Sequence, residues 1–166
     1  MYYYYKQDRN RLNEYIYDKD ISFITKHPTL TFDKTEEMGI GPLKYIYFEI
    51  ITIIRRGFSR MFEEWHLMKN GHSCSKAVLI SKVSIYQFMP NKGIHICFCR
   101  TNPEERGNGY YPTLLKYIMN KYPRKDFYMI VESTNISSIK GIEKAGFVRY
   151  AEGEKVGQTF KITRYV

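Results

Sequence analysis

Cysteine is scarce in this 166-residue chain. Its three cysteines, Cys74, Cys97 and Cys99, are odd in number, which excludes a disulfide framework as the organising device. A chain of this length buries an adequate core without such staples. Cys97 and Cys99 alternate within an apolar run, where a strand points both to one face, so reduced, packed thiols are predicted. A zinc site is not expected, because the nearest histidines, His72 and His95, form no recognisable ligand pattern with these cysteines. Long apolar runs are also missing: none approaches the eighteen or so residues of a membrane span. The richest, Tyr45 to Ile54, is interrupted by Glu49 and ends in Arg55 and Arg56, the pattern of a core-facing helix, with peripheral membrane contact left open. Met1 to Tyr5 followed by Lys6 lacks the basic-then-apolar order of a secretory leader, so a cytoplasmic location is expected.

Acidic residues are in deficit. With 26 Lys plus Arg against 17 Asp plus Glu, the formal net charge is +9, which favours anionic partners such as phosphorylated cofactors, nucleotide sugars or nucleic acid. The basic residues are dispersed, and no zinc-finger, RNA-recognition or basic-zipper spacing occurs, so nucleic acid is not expected as a partner. No repeat or low-complexity linker divides the chain, which reads as one domain over residues 1–166.

The hydrophobic periodicity predicts helices over Gln7 to Tyr17 and Leu43 to Arg56, separated by a loop containing Gly39, Gly41 and Pro42. Strands follow over Met61 to Met68, Ser75 to Phe88 and Ile94 to Thr101, joined by turns at Lys69-Asn70-Gly71 and Pro90 to Gly93. A helix is then predicted from Gly109 to Tyr122, a strand from Phe127 to Val131, and a helix from Ile136 to Ala145 stopped by Gly146. Strands over Phe147 to Glu152 and Thr159 to Arg164 close the chain. The predicted fold class is α/β: a twisted mixed sheet, an antiparallel meander followed by β-α-β-α-β, with helices packed on both faces.

The stretch most informative about chemistry is Ile94 to Ile118, IHICFCRTNPEERGNGYYPTLLKYI, in which an apolar strand leads through Arg-Gly-Asn-Gly into an amphipathic helix. Gly107 and Gly109 allow close backbone approach, and the first-turn amides of the helix lack carbonyl partners and point outward at positive potential. That is an anion site suited to a pyrophosphate. An isolated Gly-x-Gly is more often simply a tight strand-to-helix turn. There is no Gly-x-x-x-x-Gly-Lys-Ser/Thr, and Pro112 stands where the third glycine of a dinucleotide fingerprint belongs, so P-loop and Rossmann readings fail.

What remains resembles the GNAT superfamily of acetyl-CoA-dependent N-acetyltransferases. The family's cofactor motif, Gln/Arg-x-x-Gly-x-Gly/Ala after a strand, with Pro three residues before the Arg, is matched by Pro103, Arg106 and Gly109. Its second signature is Asn, a small residue three positions on, and a later Gly-Phe, matched by Asn135, Ser138, Gly146 and Phe147. The resemblance covers about Gly93 to Val148. It implies acetyl-CoA as cosubstrate and no metal, with the cofactor held by Cys99, Arg100, Thr101, Arg106, Gly107, Asn108, Gly109, Tyr110, Tyr111, Asn135 and Ser138. Two positions depart from the pattern. Tyr111 replaces the final Gly or Ala of the first motif, and Ile142 stands where the family often carries the Tyr that protonates the leaving thiolate.

In this family an amine attacks the thioester directly, so the protein supplies positioning, deprotonation and carbonyl polarisation. The resemblance makes His95 the candidate base: it lies eleven residues before Arg106, where the histone-acetylating branch carries a glutamate, and the alternative is a packed strand histidine. Glu132 is the reserve base, or else a cap of the following helix. Tyr110, Tyr111, Tyr150 and solvent are the candidate acids. Asn135 is a cofactor contact, an N-cap, or both. The expected acceptor is a small-molecule primary amine. Basic, tyrosine-rich flanks suit a nucleotide-linked amino sugar of surface-glycan synthesis, with a protein or peptide amine, or a catalytically silent CoA- or nucleic-acid-binding protein on the same scaffold, as alternatives.

Overall fold

The computed structural model describes residues 1–11, 20–26, 62–82, 88–157 and 159–166. Eight strands and two α-helices occur among them. The order is β1 (Tyr2–Gln7), a 3-10 turn (Arg9–Arg11), β2 (Ile21–Lys26), β3 (Phe62–Lys69), β4 (His72–Ser81), β5 (Ile94–Thr101) and a second 3-10 turn (Pro103–Glu105). Then come α1 (Tyr110–Lys121), β6 (Phe127–Glu132), α2 (Ile136–Lys144), β7 (Phe147–Val156) and β8 (Thr159–Tyr165). All the strands join one sheet, ordered β2-β3-β4-β5-β6-β1-β7-β8. Every neighbouring pair is antiparallel except β5 and β6.

Local sequence explains the meander. Asn70 and Gly71 both have positive φ, 51° and 79°, as a two-residue hairpin turn matched to strand twist requires, and they fold β3 onto β4. The Gly93 amide donates to the Pro90 carbonyl at 3.0 Å and closes the turn into β5. On α1, Leu114, Leu115, Ile118 and Met119 are fully buried against Leu67, Leu79, Ile94 and Ile96 of the sheet. Burial stabilises each such side chain by about 1.5–3 kcal/mol, so the stripe seats this helix more firmly than propensity does. Ile142 and Ile139 bring α2 into the same cluster. The opposite face of the sheet holds a smaller cluster of Tyr4, Val78, Ile80, Phe88, Met89 and Ala151.

The structure corrects three expectations. Gln7 ends a strand and Arg9–Arg11 form a 3-10 turn, so the helix predicted from Gln7 does not begin there; 12–17 lie outside the described residues. The tyrosine run is instead a strand, and a central one: β1 sits between β6 and β7, with Tyr5 in one cluster and Tyr4 in the other. An all-tyrosine run shows no apolar-polar alternation because both of its faces are covered. The edge strand β2 had no predicted counterpart, although ISFITK is rich in β-branched and aromatic residues. Finally, Cys97 and Cys99 do not share a face. Phe98 takes φ 49°, and three steps on β5, Cys97 to Arg100, oppose two on β4, Val78 to Lys76. This bulge turns Cys97 toward the smaller cluster and Cys99 toward the larger. The predicted helix Leu43 to Arg56 and residues 83–87 of the predicted strand Ser75 to Phe88 fall outside the described residues; β4 starts at His72 and reaches Ser81.

Candidate active site

Among the described residues, the one parallel junction in the sheet defines the site. Strands β5 and β6 are paired only at Ile94↔Phe127 and His95↔Tyr128, while both continue, to Thr101 and Glu132. Their C-terminal halves therefore part into a wedge, on the side of a parallel junction where α/β proteins receive ligands. The bulge at Phe98 lies in that diverging half and bends β5 away.

Beyond the wedge, β5 runs through the Pro103–Glu105 turn into α1. Gly107 and Gly109 have φ 86° and 77°, conformations that L side chains rarely adopt. A Cβ built on either meets nothing within 4 Å, so backbone and open space face each other here. Gly109 is the N-cap of α1 and supplies no side-chain cap. At the second helix, the Asn135 Oδ1 accepts from the Ser138 amide at 3.1 Å and from the Ser137 hydroxyl at 3.1 Å, so Asn135 is an N-cap.

These elements surround a pocket of about 700 Å³, lined by Cys99, Arg100, Thr101, Glu105, Arg106, Gly107, Gly109, Tyr110, Tyr111, Pro112, Asn135, Ser137, Ser138, Lys140, Gly141 and Lys144. Of the residues nominated from sequence, Asn108 alone among the cofactor candidates is absent from the lining; its amide donates to Glu105 Oε2 at 3.2 Å. Arg100, Arg106, Lys140 and Lys144 place four cations around the space, against the carboxylate of Glu105. His72 lies 3.0 Å from that carboxylate, and its hydrogen bond holds the Glu105 carboxyl below its usual range. Ser137, Lys140, Gly141 and Lys144 were missed by sequence reasoning. Their spacing of three, four and seven is one face of a helix, a signal readable once Asn135 is taken as the cap.

Tyr111 is accommodated by a glycine on the other helix. A Cβ at Gly141 would lie 2.5 Å from Tyr111 Cδ1 and 2.8 Å from Cε1, so the ring rests on the bare backbone of α2. Burial, with the Cys99 thiol nearby, pushes the Tyr111 phenol well above its ordinary value. Burial likewise raises the Cys99 thiol to about 12 and Cys97 well above its usual value, so neither is a thiolate nucleophile at neutral pH. Ile142 is 1% exposed and belongs to the core, one residue past the glycine that Tyr111 covers.

The three nominated catalytic residues do not line this pocket. His95 is buried near the closed end of the wedge, edge-on to Phe88 at 5.2 Å, and desolvation lowers its pKa to about 3. Such an imidazole is neutral at pH 7 and a poor proton acceptor. Tyr150 belongs to the smaller cluster, its hydroxyl donating to the Phe88 carbonyl, and burial raises its phenol strongly. Glu132 ends β6 opposite Tyr2, exposed, with its carbonyl accepting from the Asn135 amide at 2.9 Å.

Neither a family model nor a curated protein matches the chain. Solved structures do. A GNAT-family acetyltransferase from Colwellia psychrerythraea superimposes with TM-score 0.57 at 13% identity, over 89% of this chain and 52% of that one. A tandem GNAT protein from the clavulanic acid biosynthesis pathway gives 0.56 at 14%, over 90% and 50%. A putative GNAT-family acetyltransferase from Novosphingobium aromaticivorans gives 0.52 at 15%, over 90% and 60%. The chain thus spans between half and three-fifths of the length of these structures. At such identities the likeness concerns architecture, and with the parted parallel junction and the glycine turn it establishes that this chain has the GNAT acetyltransferase fold.

Proposed function

We propose that the protein is an N-acetyltransferase that transfers the acetyl group of acetyl-CoA to a primary amine by direct attack. The observation that carries this reading is the pocket itself: two glycines at positive φ, the start of α1 and four cationic side chains converge where the paired strands separate. Acetyl-CoA carries a pyrophosphate and a third phosphate, and its thioester supplies the activated acyl group. The open space over Gly107 and Gly109 suits the pyrophosphate, with the start of α1 and Arg106 on the same lining to receive its charge. Lys140, Lys144 and Arg100 offer partners for the remaining charge.

Catalysis on this reading rests on placement more than on a dedicated base. An alkyl ammonium titrates near 10.4, and His95, with its pKa near 3, does not take that proton efficiently. Deprotonation passes to water at the mouth of the wedge, while bound geometry supplies the rate advantage of proximity. With Ile142 in the core, the thiolate is protonated by solvent or by a pocket tyrosine, of which Tyr111 is protonated at neutral pH.

For the acceptor we favour an amine carried on a nucleotide-linked sugar over a protein amine, because the +9 chain and its tyrosines suit a phosphate beside a ring. Isothermal titration with acetyl-CoA and desulfo-CoA, with ATP as control, tests the reading. Saturable binding of both CoA ligands and not of ATP is expected. Absence of CoA binding refutes it. Inhibition of turnover by nucleotide sugars, and not by acidic peptides, tests the acceptor class.

A further inference from the structure

A second cluster of chemistry-bearing side chains lies beside the pocket. His72 and Cys74 stand two apart at the start of β4, across an irregularity where Ser73 and Ser75 oppose the consecutive residues Met68 and Leu67 of β3. The Asn102 amide donates to the Cys74 carbonyl at 2.9 Å and draws the Pro103–Glu105 turn alongside them. As a result one ligand atom from each of His72, Cys74 and Glu105 lies within 4.8 Å of the other two, with His72 Nε2 3.0 Å from Glu105 Oε1. From the chain alone no zinc site was expected, because His72 and His95 form no ligand pattern with the cysteines; the fold sets His72 beside a carboxylate thirty-three residues away.

We infer that His72, Cys74 and Glu105 form a three-ligand site for a divalent transition-metal ion of the zinc type. Imidazole nitrogen, thiol sulfur and carboxylate oxygen are the donor set that zinc takes in tetrahedral sites, with bonds of roughly 2.0–2.3 Å. Such bonds place donor atoms roughly 3.3–3.6 Å apart, so side-chain adjustments of about 1 Å complete the set. Asn108, on Glu105 Oε2, already orients the carboxylate from behind, as outer partners of metal ligands do. The neighbouring Lys69 ammonium is turned onto the Tyr110 hydroxyl at 3.0 Å. The His72 side chain is 51% exposed, leaving room for water at the fourth position, whereas Cys74 is fully buried behind it. Binding replaces the Cys74 S–H bond by a sulfur–metal bond and releases that one proton to solvent. The ion clamps the turn that precedes Arg106 to the start of β4, bracing one wall of the pocket.

The full chain, stripped with chelator, is titrated with Co²⁺ and then with Zn²⁺. One equivalent of Co²⁺ is expected to give a thiolate-to-cobalt band in the near ultraviolet and tetrahedral bands in the visible, both removed by Zn²⁺. His72→Ala, at an exposed position, should keep the fold by circular dichroism and weaken binding by about tenfold or more. Cys74→Ser should abolish the charge-transfer band; if that buried substitution unfolds the chain, His72→Ala decides alone. No thiolate band in the parent protein, or an unchanged band in His72→Ala, overturns the assignment, the latter placing the metal on Cys97 or Cys99. None of these readouts depends on acetyl-CoA, so the outcome is separate from that of the acetyltransferase reading.

Discussion

Replacing Gly141 by alanine sets two effects of known size against each other. Mid-helix, Gly→Ala stabilises by about 0.5–1 kcal/mol because alanine loses less backbone freedom. Here the new Cβ would lie 2.5 Å and 2.8 Å from two carbons of the Tyr111 ring, far inside the 3.5–4.0 Å of a good carbon contact, so the ring must move by about 1 Å. Tyr111 packs against the main core, so it does not move freely. Overpacking of this kind costs about 1–3 kcal/mol. The net effect of Gly141→Ala is therefore between about neutral and about 2.5 kcal/mol of destabilisation. In a Tyr111→Ala background the clash is absent, and the same substitution should stabilise by about 0.5–1 kcal/mol. Urea denaturation of the four proteins, followed by circular dichroism, measures the coupling directly, and about 1–3 kcal/mol is expected. Equal stabilisation in both backgrounds, with coupling below about 0.5 kcal/mol, would show that the ring does not rest on Gly141.

Gly109→Asp places a side chain at φ 77° and a carboxylate at the expected pyrophosphate position, and should abolish acetyl-CoA binding in a calorimetric titration. Gly109→Ala is its control: it carries only the backbone strain of about 1–2 kcal/mol, with no atom within 4 Å to clash, and should retain measurable affinity. For His95, the folded pKa of about 3 lies below the ordinary value near 6.5, so between these limits the unfolded chain binds a proton that the folded chain does not. Stability from this residue is complete above about pH 6.5 and is lost on acidification, by up to about 1.4 kcal/mol per pH unit. His95→Leu should flatten that part of the stability–pH curve, and an unchanged slope would refute the burial argument. If the protein acts as the proposed acetyltransferase, its pH–rate profile should show no inflection attributable to His95.

The region from Ile94 onward was legible because local signals and tertiary structure agree. The strand Ile94–Thr101 has its predicted bounds, and the helix predicted over Gly109 to Tyr122 differs from Tyr110–Lys121 by one residue at each end. Positive-φ glycines, a helix cap at Asn135 and a regular apolar stripe each specify backbone without distant help. The N-terminal strand was not legible, because its place is set by partners 120 or more residues away, Met129 and Arg149 for Tyr5 among them. Nor was the face of Cys99, which depends on a bulge forced by the register of β5 on β4.

By itself, then, the sequence determined the α/β order of elements from β3 onward, the glycine turn before α1 and the residues that flank it, since these follow from dihedral preference, capping and periodicity within short windows. Only tertiary structure decided which groups meet. It parted β5 from β6, put Tyr111 on Gly141, carried Lys140 and Lys144 to the pocket, and brought Glu105 to His72 and Cys74. It also buried His95, removing the basicity that its position along the chain had suggested. The reason is physical: a residue's type sets what it can do, but desolvation and neighbours set what it does, and both are properties of the packed chain.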